Sequence, residues 1–278
     1  MIAADHRAFR LRILRSGSSG NAIFLHAAGT GVLIDAGLPE QTLSRELAAT
    51  AVSFSEISAI LLTHEHEDHA KGAAALAKAA GVPIYANEGT IGAAGFVGAA
   101  LERFTTGRPF TVGGLTVEAF PVSHDAAEPV GFVVGWNGTR VLIATDLGEA
   151  GDEMVERARD CRIVVLEANY DLRLLSVSPY PWFLKNRILG LTGHLSNDAA
   201  ARAVVASGQT GRPQAVVLVH LSDINNLTPL ARDTVRWALE REGMGHVRVH
   251  AVRPNGTSDL NELGEQANRR TGEHTQSQ

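Results

Sequence analysis

Thr63-His64-Glu65-His66-Glu67-Asp68-His69 follows directly on the apolar run Ala59-Ile60-Leu61-Leu62, and this junction decides how the rest of the chain is read. Three His and one Asp fall at offsets 0, 2, 5 and 4 from His64. With 11 His and 12 Asp in 278 residues, chance produces that arrangement in about one sequence in a thousand. A strand that ends at Thr63 releases a loop whose alternate residues can point into one cleft. His64 and His66 can then chelate one divalent ion while Asp68 and His69 turn toward a second. A helix beginning near His69 aims its positive N-terminus at an anionic substrate. The bland alternative is a polar strand-to-helix turn.

Composition narrows what such a site is made of. The single Cys excludes a disulfide framework and any Cys-rich zinc site, so a metal must be held by imidazole and carboxylate. A net charge of −5 excludes a globally basic nucleic-acid binder but not a local basic strip. The 45% hydrophobic content and mean hydropathy of +0.01 describe a water-soluble globular chain with ample core. The start, MIAADHRAFRLRIL, shows no signal peptide, and the least polar stretches are too short and Gly-rich to span a bilayer. A cytoplasmic protein without membrane contact is expected.

Around the His run, short β-rich stretches alternate with Ala-rich helical windows. The patterns predict strands at Phe9–Leu14, Ala22–His26, Gly31–Asp35, Ala59–Thr63, Pro83–Ala86, Leu115–Phe120, Gly131–Trp136, Arg140–Ala144, Arg162–Glu167, Ala215–His220 and His246–His250. They predict helices at Pro39–Ala49, His69–Ala80, Glu88–Ala100, Glu153–Arg159, Asp198–Ser207 and Leu230–Arg241. Strands in both halves with helices interposed suggest two sheets covered outside by helices. One domain over residues 1–254 is expected, followed by a polar, disordered tail over 255–278.

The His-x-His-x-Asp-His run resembles the signature of the metallo-β-lactamase superfamily. Later strand ends match that family's further motifs in order: Pro121-Val122-Ser123-His124, Ala144-Thr145-Asp146-Leu147-Gly148 and Val219-His220-Leu221-Ser222. The resemblance implies an α/β, four-layer αββα sandwich. It also implies that His64, His66 and His124 hold one ion, that Asp68, His69 and His220 hold another, and that Asp146 bridges them. Asp35, in Leu33-Ile34-Asp35-Ala36-Gly37, and Thr63 would orient these ligands from behind; for Asp35 the alternative is a turn aspartate before Gly37.

More specific strings resemble the YycJ/WalJ-type branch of bacterial metallo-hydrolases, which is linked to DNA exonuclease activity and is similar in core to ribonuclease Z. They are Ser16-Gly17-Ser18-Ser19-Gly20-Asn21, Glu167-Ala168-Asn169-Tyr170-Asp171, Tyr180-Pro181-Trp182-Phe183-Leu184-Lys185-Asn186-Arg187-Ile188, Gly193-His194-Leu195-Ser196-Asn197, and His220-Leu221-Ser222 with Asn225-Asn226. Ser18, Ser19 and Asn21 suit phosphate oxygens, although the loop also reads as a plain hairpin turn. Lys185 and Arg187, with Trp182 and Tyr180 nearby, can grip a phosphate backbone and stack on a base. An amphipathic helix with Trp182 and Leu184 packed inside fits the same residues.

The expected chemistry is hydrolysis of a phosphodiester, most simply DNA, by a hydroxide between two divalent ions. Zinc and manganese suit the ligand set, and iron is compatible with it. Asp68 can accept the proton while still ligating, and His194 is the candidate donor to the leaving oxygen, with a helix-capping histidine as the alternative. A small or cyclic phosphodiesterase, a glyoxalase II-like thioesterase and a non-catalytic metal-stabilised binding module are the rivals. A β-lactamase with a Cys ligand is disfavoured, because Cys161 lies off every ligand motif. A homo-oligomer is compatible with the sequence.

Overall fold

The computed structural model describes residues 9–49 and 52–260. Six strands, β1 (Arg10–Arg15), β2 (Ala22–Ala27), β3 (Thr30–Ile34), β4 (Ile57–Leu61), β5 (Ile84–Ala86) and β6 (Leu101–Arg103), build the first sheet. The second contains β7 (Phe110–Val112), β8 (Leu115–Pro121), β9 (Val130–Trp136), β10 (Thr139–Ala144), β11 (Ile163–Glu167), β12 (Ala215–Val219) and β13 (Arg248–Ala251). The chain then returns to the first sheet as β14 (Ser258–Asp259), giving two seven-stranded sheets ordered β14-β1-β2-β3-β4-β5-β6 and β13-β12-β11-β10-β9-β8-β7.

Alternation of side chains along each strand makes two cores from every sheet. Ile13, Leu25, Val32 and Leu61 of the first sheet meet Phe132, Ile143, Val165 and Val217 of the second in a shared inner core. The intervening residues face outward. Phe24, Leu33 and Ile60 lie under α1 (Glu40–Ala49) and α3 (Ala73–Ala80), through Leu43, Leu47 and Leu76. Leu142, Leu166 and Leu218 lie under α5 (Asp152–Arg159), α8 (Asn197–Gly208) and α9 (Thr228–Arg241), through Met154, Val204 and Val235. The layers are therefore helix, sheet, sheet, helix. Strands such as Ile163-Val164-Val165-Leu166 read as unbroken apolar runs because both faces are covered.

Parallel pairing sets where the site forms. β3–β4–β5–β6 and β10–β11–β12–β13 run parallel, whereas the remaining pairs are antiparallel. The C-terminal ends of β3, β4, β10, β11 and β12 carry Asp35, Thr63, Asp146, Glu167 and His220, in the crevice where ligands of open α/β sheets bind.

The structure changes several expected boundaries. The helix expected over His69–Ala80 begins earlier and breaks: α2 is Glu67–Ala70, and Gly72 leaves the helix to give its N–H to Ala36 O at 2.8 Å. Hence Asp68 and His69 lie inside a four-residue helix rather than before a long one. The helix expected to Ala100 stops at Ala94 (α4, Glu88–Ala94), because Gly95 caps it with φ +61°. β6, β7 and β14 sit at or near sheet edges and are too short to show a period. Two helices join the list: α6 (Leu172–Val177), capped by Asp171, and α7 (Trp182–Leu189). Residues 255–260 of the expected tail are ordered against the body: Leu260 N bonds Leu11 O at 2.9 Å, and β14 pairs with β1. Residues 261–278 lie outside the described residues. Among the described residues no helix is long and apolar enough to cross a membrane.

Candidate metal centre

Five loops converge at the strand ends, and their backbones are tied to one another before any side chain acts. Asn21 N donates to Asp68 O at 2.7 Å, Ala36 N to His69 O at 2.7 Å, and Val130 N to Thr63 O at 3.0 Å. Gly37 permits this closeness: a Cβ there would lie 1.7 Å from Asp68 O. Ser16, at the end of β1, accepts the His220 N–H at 2.6 Å and so joins the two sheets at the cleft.

Three site residues stand where the backbone is strained. Asp35, Asp146 and His220 have φ of +62°, +55° and +54°. The left-handed region costs a non-glycine residue about 1 kcal/mol or more. In each case the turn comes immediately after a strand, and it swings the side chain off the sheet into the crevice.

The imidazoles are oriented from behind. His69 Nδ1 donates to Asp35 Oδ2 at 2.7 Å, and His220 Nδ1 to Glu167 Oε1 at 2.7 Å. His124 Nδ1 donates to Gly193 O at 3.1 Å. The Thr63 hydroxyl donates to Asp35 at 2.9 Å and can then accept from His64 Nδ1 at 3.0 Å. Since carboxylates and carbonyls only accept, each Nδ1 bears a proton, and Nε2 is the ring nitrogen that faces the shared space. Asp35 thus sits against His69 Nδ1, and Thr63 between Asp35 and His64.

Those Nε2 atoms share one space with two carboxylates. Asp146 Oδ2 is 3.0 Å from His69 Nε2, and its Oδ1 is 3.9 Å from His124 Nε2. Asp68 Oδ2 is 3.5 Å from His69 Nε2 and 3.8 Å from His220 Nε2. The His64, His66 and His124 rings adjoin, with centroids 4.7–5.1 Å apart. His64 Nε2, His220 Nε2 and Asp146 Oδ2 are buried without a hydrogen-bond partner. Orphaned donors of this kind, packed within chelating reach, suit cations. His64-His66-His124 form one such group, and Asp68-His69-His220 another, with Asp146 between them.

Electrostatics agree with a site short of positive charge. Burial opposes ionisation of Asp146, but His220 and His69 hold it well below the usual carboxylate range. Burial likewise opposes charge on His220, yet Asp146 and the other carboxylates around it push it up to about 10. His69 is raised well above an ordinary imidazole by Asp146 and Asp35 despite its burial. His64 is held well below by burial and then by the neighbouring His69.

Glu167 lies in no ligand motif of the sequence, and its contacts emerge only in three dimensions. It is fully buried, and its Oε2 accepts Leu147 N at 3.0 Å and Leu195 N at 3.1 Å. Oε1 takes His194 Nδ1 at 2.8 Å as well as His220. His194 lines the cleft, two residues before Ser196, which caps α8. Burial works against its charge, but Glu167 outweighs it and raises the His194 pKa. Asn197 and Asn226, from two of the quoted strings, pair their amides reciprocally at 2.8 and 2.9 Å and knit the His194 and His220 loops together.

The expected phosphate-binding residues divide. Ser18 and Arg187 line a cleft of about 300 Å³ that opens over the cluster. Arg187 is held there by Asp125 Oδ2 at 2.7 Å, a partner beside His124 that the sequence did not flag. Ser19 instead bonds the Asn255 side chain and is not among the cleft-lining residues. Asn21 is buried against the His loop, where Oδ1 takes Gly17 N at 3.0 Å and Nδ2 lies 3.0 Å from His69 Nε2, and it is not among the cleft-lining residues. Lys185 gives its ammonium to Ser176 O at 2.7 Å, at the end of α6. Trp182 and Lys185 are absent from the cleft lining, so the basic-aromatic cluster splits: Tyr180 and Arg187 line the cleft, whereas Trp182 is exposed rather than packed inside.

Comparison with known proteins follows the same lines. The sequence model of the beta-lactamase superfamily domain matches residues 30–221. The exodeoxyribonuclease YycJ of Bacillus anthracis is 36% identical over 238 residues, covering 84% of this chain and 90% of the relative. The exodeoxyribonuclease WalJ of Streptococcus pneumoniae is 34% identical over 265 residues, 92% of this chain and 98% of the relative. Among solved structures, the metallo-beta-lactamase fold protein YhfI of Bacillus subtilis superposes with a TM-score of 0.70 at 14% identity, covering 91% of this chain and 99% of that one. In sequence and fold, the chain belongs to the beta-lactamase superfamily.

Proposed function

We propose that this chain is a two-metal phosphodiester hydrolase that acts on DNA as an exonuclease. The observation that carries the reading is the convergence of His64, His66, His124, Asp68, His69 and His220 around Asp146, four of the imidazoles fixed from behind with Nε2 turned inward. The relatives named exodeoxyribonucleases, matched along nearly their whole lengths, support DNA as the substrate. That substrate in turn suits a cytoplasmic enzyme.

Zinc or manganese ions, held by His64, His66, His124 and Asp146 and by Asp68, His69, His220 and Asp146, would supply charge for the phosphoryl oxygens and acidify the attacking water. The residues do the rest. Asp68 is kept ionised by His69 and His220 despite its burial, so its carboxylate can accept the proton of that water. As water adds to phosphorus and the P–O bond breaks, His194 passes its Nε2 proton to the leaving oxygen, and Glu167 holds the imidazolium at Nδ1. Arg187, at the mouth, draws the diester backbone against the cleft wall.

Metal-dependent degradation of labelled double- and single-stranded DNA, run beside bis(p-nitrophenyl) phosphate, tests the reading. Release of nucleotides from DNA supports it. Hydrolysis confined to the small ester moves the assignment to a small-molecule phosphodiesterase with the same site.

A further inference from the structure

The reacting centre lies at the floor of a narrow cleft. His64, His69, Asp146 and His220 are each at most 3% exposed. One wall is the segment through α7, which contributes Tyr180, Leu184, Arg187 and Ile188. A volume of about 300 Å³ sits at the small end of pockets that enclose one ligand, roughly 300–1,000 Å³. A single nucleotide is a ligand of that size, and a base pair is a larger one. Tyr180, Leu184 and Ile188 give that nucleotide an apolar surface, and Arg187 gives its phosphate a cation.

Next to the cleft-lining Leu184, and not itself in the lining, Phe183 is 75% exposed. It lies one helical turn before Arg187, within about 40° of it around the α7 axis, whereas Trp182 is about 140° away. An exposed benzyl group beside a cleft-lining guanidinium is the pairing that holds successive nucleotides of an unpaired strand, ring on base and cation on backbone, with Arg187 shared between the phosphate and Asp125.

We propose that the nucleotide to be cleaved enters the cleft unpaired and that Phe183 stacks on the adjoining base at the rim, so a DNA duplex is opened by one pair at its end before hydrolysis. This deepens the nuclease reading and rests on it. Phe183 is then a specificity residue for unpaired or easily opened ends, because end-opening carries a penalty that a mismatch removes and a covalent cross-link makes prohibitive.

The test compares the wild-type chain, loaded with manganese or zinc, on duplexes whose ends are fully paired, carry one terminal mismatch, or carry an interstrand cross-link at the terminal pair. Mismatched ends are expected to be cleaved about tenfold faster than paired ends, and cross-linked ends at background. Phe183→Ala slows paired ends about tenfold, and Phe183→Trp restores most of the rate. Cleavage of cross-linked ends at the paired-end rate, or no effect of Phe183→Ala on paired ends, overturns the proposal. So does a Phe183→Ala variant that changes only the association state in sedimentation, which assigns the residue to contact with a second copy. Failure to cleave any of these DNAs, by enzyme that still hydrolyses bis(p-nitrophenyl) phosphate, overturns the nuclease reading together with the stacking role.

Discussion

Glu167 Oε1 accepts the Nδ1 proton of His194 at 2.8 Å from a position wholly shielded from solvent. The same oxygen holds His220, so one carboxylate orients both a proposed metal ligand and the proposed acid. Because Oε2 is occupied by two backbone N–H groups, the carboxylate cannot turn away. It links the floor of the cleft to its chemistry.

His194→Ala should therefore lower kcat on DNA by about 10²–10⁴-fold while bound metal stays at the wild-type level. The loss on bis(p-nitrophenyl) phosphate should be much smaller, since p-nitrophenolate leaves without help from an acid. Glu167→Gln should cost about 10–100-fold, part of it through weaker metal retention at His220. Equal losses on both substrates for His194→Ala would remove the histidine from the role of acid. Steady-state kinetics with metal analysis of each variant decides this.

Gly37 is predicted to be intolerant of any side chain. A Cβ there meets the Asp68 carbonyl at 1.7 Å, so Gly37→Ala must push apart the two loops that place Asp68 and His69. Overpacking of this kind costs about 1–3 kcal/mol, and here the displaced element carries ligands. A lowered Tm together with reduced metal content is the expected outcome. Loss of stability with full metal loading would show that the His loop does not depend on this contact.

Cys161 should be chemically silent in the folded protein. It is fully buried, and burial pushes the thiol up to about 12, against a weaker opposing pull from Arg140. The thiolate is the reactive species, so at pH 8 a thiol-specific disulfide reagent should label nothing until denaturant is added, then one thiol per chain. Rapid labelling of the native protein would contradict the packing of α5 against the second sheet.

Much of this architecture is legible before folding is considered, for a physical reason. Runs such as Val216-Val217-Leu218 and Ala22-Ile23-Phe24-Leu25 are set by burial on both sheet faces, and the His run is dense enough to announce itself. Asp35 and Thr63 are also readable, because both sit at strand ends next to the ligands. Glu167 is not: a lone Glu closing an apolar strand reads as a strand terminus, and only the parallel pairing of β11 with β12 brings it to His220. Lys185, Ser19 and Asn21 mislead in the opposite direction. Their chemistry suits phosphate, but the helix turn and the loop closure aim them at Ser176 O, Asn255 and His69. Backbone torsion is equally hidden, since no sequence pattern marks Asp146 or His220 as left-handed.

The central claim is that the His cluster binds the metal that cleaves DNA. The most direct measurement is nucleotide release from end-labelled DNA by the wild-type chain and by His66→Ala, each with added manganese or zinc and each checked for native melting. The wild type should degrade the DNA and be stopped by a chelator, while folded His66→Ala shows no metal-dependent cleavage. Undiminished cleavage by folded His66→Ala would contradict the assignment.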